Sequence, residues 1–157
     1  MKSASISEIK KELQTLSPSM VEEYCMRLAK YKKENKELLN YLLFEADDEE
    51  KFIKELKEEV DAQFAEMNKS TIYFAKKSIR RNLRNVNKHI KFSGRAETAA
   101  ELLIYFCVCL KSSEIPIHKS TAMTNLYDAQ IKKINKVIET MHEDLQYDYR
   151  KLLEELN

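Results

Sequence analysis

Glu139 and His142 stand three residues apart in Glu139-Thr-Met-His142. Helical bundles use that spacing to hold a pair of iron ions, but the site also needs a second such motif and two further inward-facing glutamates. Neither is supplied, because Val86 precedes His89 and Ile115 precedes His118 at the same spacing. Glu101, set in the most apolar stretch, is a candidate partner that does not complete the count. An exposed Glu–His edge is therefore the expectation. Cys107 and Cys109 are two residues apart, which on a helix turns their thiols about 200° from each other and prevents a shared metal. They read as buried structural thiols. A single Gly cannot build a phosphate-cradling loop. No nucleophile elbow, activated-cysteine signature or paired-carboxylate motif stands out. The expectation is a non-enzymatic chain with no metal and no cofactor.

What remains is the chemistry of charge. The stretch Tyr73–Phe92 reads YFAKKSIRRNLRNVNKHIKF, with six Lys or Arg between Lys77 and Lys91. Residues 67–96 carry nine basic groups and no acid, whereas residues 34–66 carry four basic and twelve acidic groups. The middle of the chain is thus an electric dipole in sequence, −8 followed by +9. The acids come with lysines four residues away (Glu50–Lys54, Lys54–Glu58, Lys57–Asp61), the pattern of a solvated, salt-bridged helix face.

The basic stretch has no such local partners. With Ile79 at zero and 100° per residue, Ile72, Leu83, Val86 and Ile90 fall within roughly 40° of it, with Ala75 at the edge. That is the stripe expected to be buried. Lys77, Arg81, Arg84 and Lys88 fall at roughly 140–200°, opposite the stripe, while Arg80 and Lys91 lie on one shoulder. Ser78, Asn82, Asn85 and His89 form a polar strip on the other shoulder. Tyr73 and Phe74 flank the basic face at its N-terminal end. Lys77–Arg81, Arg80–Arg84 and Arg84–Lys88 are like-charge pairs four apart, each costing about 0.2–0.5 kcal/mol. The candidate binding residues are Lys77, Arg80, Arg81, Arg84, Lys88, Lys91, Tyr73 and Phe74, and the expected partner is an acidic protein. Nucleic acid is the alternative, through four to six phosphate contacts on the order of those that give weak, salt-sensitive binding, with Tyr73 or Phe74 stacked on a base. Against it stand a net charge of only +1 and the lack of a helix-turn-helix pattern. A solvated structural face is the bland reading of the same residues.

These residues need long helices to position them. In 157 residues there are one Gly and two Pro, too few for the turns of a sheet protein. The expected fold is all-α, a single domain over 1–157 of five to seven helices in stacked antiparallel pairs, as a bundle or a short solenoid-like array. Ile6, Ile9, Leu13 and Leu16 mark a first helix capped by Ser5 or Ser3. Pro18 suits the first turn of the next, where Ser19 and Glu22 have capping-box spacing. Its period runs on to Leu42, with a break expected near Asn35. Asp47 or Asp48 caps a helix with the stripe Phe52, Leu56, Val60, Phe64 and Met67. Ser70 caps the basic helix, and Gly94 sits where a left-handed cap ends it. Residues 95–111 are the most apolar. From Thr121 to Leu156 one stripe is sustained, a helix of roughly 50 Å that must bend, break or reach another chain. That C-terminal helix is also a candidate homodimer surface.

LAKYKKENKELLNYLLFEADDEE followed by YFAKKSIRRNLRNVNKHIKFSG resembles a family of small all-helical bacterial proteins of unknown function. The resemblance covers most of the chain and implies a fold, with no activity and no site residues. Three cysteines, an odd number, and an N-terminus without an apolar signal region imply reduced thiols and a cytoplasmic setting. The longest apolar run, Leu102–Leu110, has nine residues, about half of a membrane span, so no membrane partner is expected.

Overall fold

A computed structural model describes residues 3–156, and among these residues all regular structure is helical, without a strand. Eight α-helices are formed, more than the five to seven expected, because two stretches of continuous apolar period are interrupted. One domain was expected over 1–157; by its contacts the chain divides into two compact units, Met1–Phe44 and Glu45–Asn157.

The first unit contains α1 (Ile6–Thr15), α2 (Pro18–Tyr31) and α3 (Lys33–Phe44). Ser5 caps α1 in a full capping box: its hydroxyl accepts from the Glu8 N–H, and the Glu8 carboxylate accepts from the Ser5 N–H at 2.7 Å. These bonds from Ser5 lower the Glu8 pKa. Pro18 occupies the first turn of α2 as its fixed φ allows. The cap there is Ser17, whose hydroxyl accepts from the Met20 N–H, not Ser19. Proline at the first helical position forces the cap one residue upstream, so the Ser19–Glu22 spacing lies inside the helix. The break falls at Lys32, which is extended. Asn35 reaches back to donate to the Leu28 carbonyl at 2.8 Å, serving one of the acceptors left at the end of α2. Tyr41 is the one buried side chain among the described residues of this unit.

The second unit contains α4 (Glu49–Ala65), α5 (Ile72–Ser93), α6 (Ala96–Ser112), a 3-10 turn at Ile117–Lys119, α7 (Thr121–Ile138) and α8 (Glu143–Glu154). Asp48 caps α4 by accepting from the Lys51 N–H. All five residues of the α4 stripe, Phe52 to Met67, are buried. Thr71, rather than Ser70, caps α5 through the Phe74 N–H. Gly94 closes α5 at φ 67°, its N–H bonded to the Ile90 carbonyl at 2.9 Å. α6 is the centre: Leu102, Leu103, Phe106, Cys107 and Leu110 are all but fully buried, and α6 packs against α4, α5, α7 and α8. Each such leucine contributes about 1.5–3 kcal/mol of burial. Burial also pushes the Cys107 thiol pKa up to about 12, in keeping with an inert structural cysteine. The long C-terminal stripe breaks after Ile138, and His142 caps α8 through a bond from the Asp144 N–H.

Candidate functional site

α5 forms an antiparallel hairpin with α4, and several contacts between the acidic helix and its basic partner run through neutral groups. Asn85 donates to the Glu59 carboxylate at 2.9 Å, and Ser93 and Thr98 both donate to Glu49. Phe52 packs against the ring of His89, with centroids 6.0 Å apart. The strip expected to be a polar shoulder is therefore the seam of the hairpin. Asn82 is the clearest correction: it is buried, donating to the Val60 carbonyl at 3.4 Å, while its own Oδ1 has no hydrogen-bond partner among the described residues. At the other end of the stripe, Ile72 is 40% exposed.

The cations point elsewhere. Lys77, Arg80, Arg81, Arg84 and Lys91 are exposed, as are Tyr73 and Phe74, whose rings meet edge to face 5.5 Å apart. Among the described residues the side chains of Lys77, Arg80, Arg81 and Arg84 make no ion pair or hydrogen bond. Arg80, on the shoulder, does not reach the acids of α4. Tyr73, Lys76, Lys77, Arg80 and Arg84 line a shallow surface groove of about 380 Å³. Lys88, expected opposite the stripe, is half-buried and engaged with a neighbour. The positive surface does not stop at α5. Lys133 of α7 donates to Asn87, and its pKa is lowered first by burial and then by the charge of Lys91.

A second surface lies between α4, α6 and α8, and includes Leu145, Tyr149 and Leu152 of the C-terminal stripe that was a candidate homodimer surface. It is a groove of about 460 Å³ floored by Ile104, Val108, Leu145 and Leu152 and walled by Tyr105 and Tyr149. Its rim is acidic. Lys57 is paired with Glu101 at 2.6 Å and sits 5.2 Å above the Tyr105 ring. The Tyr105 hydroxyl donates to Asp61 at 2.7 Å, and burial, followed by that bond, pushes its pKa well up. The Cys109 thiol also donates to Asp61 at 3.5 Å, and burial foremost, then Asp61, raises it to about 11. The Tyr149 phenol is raised by burial and by the carboxylates of Glu101, Glu97 and Asp148. One signal was present in the sequence: Glu97, Glu101 and Tyr105 recur every four residues in the most apolar stretch, marking a face of α6 that stays out of the core.

Glu139 and His142 flank the break between α7 and α8 and so do not share a helix face. His142 serves as a cap and lies 3.5 Å from Asp144, and Glu101 is taken by Lys57. Among the described residues no three His, Cys, Asp or Glu are grouped to hold a metal ion. No described helix is long and apolar enough to cross a membrane. Comparison with known proteins finds no matching family model, no matching curated protein and no matching solved structure.

Proposed function

We propose that this chain is a non-enzymatic interaction module that takes an acidic protein partner on the basic face of α5. The observation that carries the reading is the exposure of Lys77, Arg80, Arg81 and Arg84 with no ion pair or hydrogen bond among the described residues. Three like-charge pairs on one helix each cost about 0.2–0.5 kcal/mol, and an external anion would relieve that repulsion. Ile72, Tyr73 and Phe74, exposed at one end of the face, supply the apolar contact a protein partner uses. Three free thiols fit a reducing, cytoplasmic setting.

A nucleic-acid reading has its own support. The positive surface spans two helices where Lys133 meets Lys91, and Tyr73, 68% exposed, is free to stack on a base. One titration separates the two readings: fluorescent poly-glutamate, single-stranded and double-stranded oligonucleotides, each at low and high salt, with wild type and an Arg81→Glu/Arg84→Glu variant. A protein-binding face takes poly-glutamate at least as well as the oligonucleotides and loses it, by about tenfold or more, in the variant. Preference for oligonucleotides with a steep salt slope would favour nucleic acid. Failure of every anion to bind at low salt would leave the face purely structural.

A further inference from the structure

The groove between α4, α6 and α8 and the basic strip of α5 are complementary in kind. The groove is lined by Glu101 and Asp148 with one lysine, Lys57, which Glu101 neutralises, and two further carboxylates adjoin it, Asp61 bonded to the Tyr105 hydroxyl and Glu97 acting on Tyr149. Its floor is apolar and open to solvent, with Val108 42% and Leu152 46% exposed. The strip carries free cations along one side of a helix and ends in exposed Tyr73 and Phe74. An acidic-rimmed apolar groove receiving a basic helix edge with aromatic anchors is the helix-in-groove mode of recognition.

Their placement prevents the two from meeting within one molecule. Around α6 the contacts run from α4 to α5, from α5 to α7 through Lys133 and Asn87, and from α7 to α8. The groove lies where α4 and α8 flank α6, while Arg80 and Arg84 share the side of α5 that carries Lys91, which faces Lys133 of α7. The two surfaces thus occupy opposite sides of α6.

We infer that the acidic partner of the α5 face is a second copy of this chain, docked by its α4–α6–α8 groove in a head-to-tail contact. This rests on the reading of α5 as an anion-docking face and names its occupant. Because two different surfaces meet, the contact is heterologous and propagates into rings or short filaments unless one face is blocked. Its rim charges are screened over about 10 Å at 0.1 M salt, so assembly is favoured at low salt and reversed at high salt.

The test is sedimentation velocity on the full chain over a range of concentrations at low and high salt. Arg81→Glu/Arg84→Glu reverses the strip, and Glu97→Gln/Asp148→Asn neutralises two carboxylates at the groove without giving it a positive charge for the reversed strip to pair with; all four residues are exposed, and circular dichroism checks folding. Wild type is expected to grow in mass with concentration at low salt and to return to monomer at high salt. Each variant alone is expected to stay monomeric. Mixed in equal amounts they should form a one-to-one pair that grows no further, because each supplies the face the other lacks. A wild type that stays monomeric at low salt overturns the inference, as does association that survives in both variants or strengthens with salt. If wild type is monomeric yet binds poly-glutamate through Arg81 and Arg84, the docking face stands and its self-recognition falls. If it does neither, both fall.

Discussion

Asp61 accepts from the phenol of Tyr105 and from the thiol of Cys109, and adds to the burial that foremost opposes the ionisation of both. With its pKa at about 11, Cys109 is only about one part in a thousand thiolate at pH 8, and only the thiolate is alkylated. Asp61→Asn removes the charge that opposes the thiolate but leaves the larger cause, burial, in place. Alkylation of Cys109 by iodoacetamide at pH 8, followed peptide by peptide in a mass spectrometer, should therefore rise about three- to tenfold. Exposed Cys25 provides the reference and should not change. An unaltered rate at Cys109 would mean that Asp61 does not govern it. Glu49 makes the opposite kind of contact, joining rather than tuning. It accepts from Ser93 and from buried Thr98 at 2.6 Å and forms an ion pair with Arg95 at 3.9 Å, tying the start of α4 to the connection between α5 and α6. Glu49→Ala strands the Thr98 hydroxyl, which is 1% exposed, and should cost about 1–3 kcal/mol. The measurement is a shift in urea midpoint at unchanged slope.

Gly94 shows how a single residue ends an element. It adopts φ 67°, and a Cβ added there would meet nothing within 4 Å, so Gly94→Ala carries backbone strain and no clash. The loss should be about 1–2 kcal/mol by urea denaturation, with Gly94→Asn smaller because asparagine tolerates the left-handed cap. A loss near zero would mean that α5 can end without this turn. Gly94 was readable in advance because only one glycine exists and it follows the last periodic residue of α5. The stripe of α4 was readable for the same reason of period. The breaks at Lys32 and after Ile138 were harder, since apolar residues keep helical spacing across both: periodicity records which face is apolar and is silent on where the backbone stops. The basic face was legible because charge signs are written in the residues. The acidic groove was legible only in parts, the Glu97–Glu101–Tyr105 spacing and the C-terminal stripe, because it is assembled from α4, α6 and α8 and no local window contains all three.

At the scale of the whole molecule, the charge dipole of the sequence is not cancelled by folding. Glu59 and Glu49 of α4 accept from Asn85 and Ser93 of α5, and Phe52 packs on His89, while Lys77, Arg80, Arg81 and Arg84 stay exposed on another face. Burial is divided just as unevenly. α6 has nine buried residues, α3 has Tyr41 alone, and α1 and α2 have none. A ten-residue helix such as α1 is marginal without tertiary contacts, since isolated helices need roughly 12–15 residues to persist even with favourable sequences. Its capping box reduces the fraying without supplying a core. Native-state hydrogen exchange should separate these regions. Amides of α1 should exchange through local opening, with rates insensitive to low denaturant, whereas those of α6 should exchange only with global unfolding and follow its denaturant slope. Equal protection in α1 and α6 would contradict this, because it would require the exposed stripe of Ile6, Ile9 and Leu13 to be covered in solution. Dilution would then decide what covers it. Protection that falls with protein concentration would point to a contact between copies through α1, a route distinct from the charged one and identifiable by its persistence at high salt.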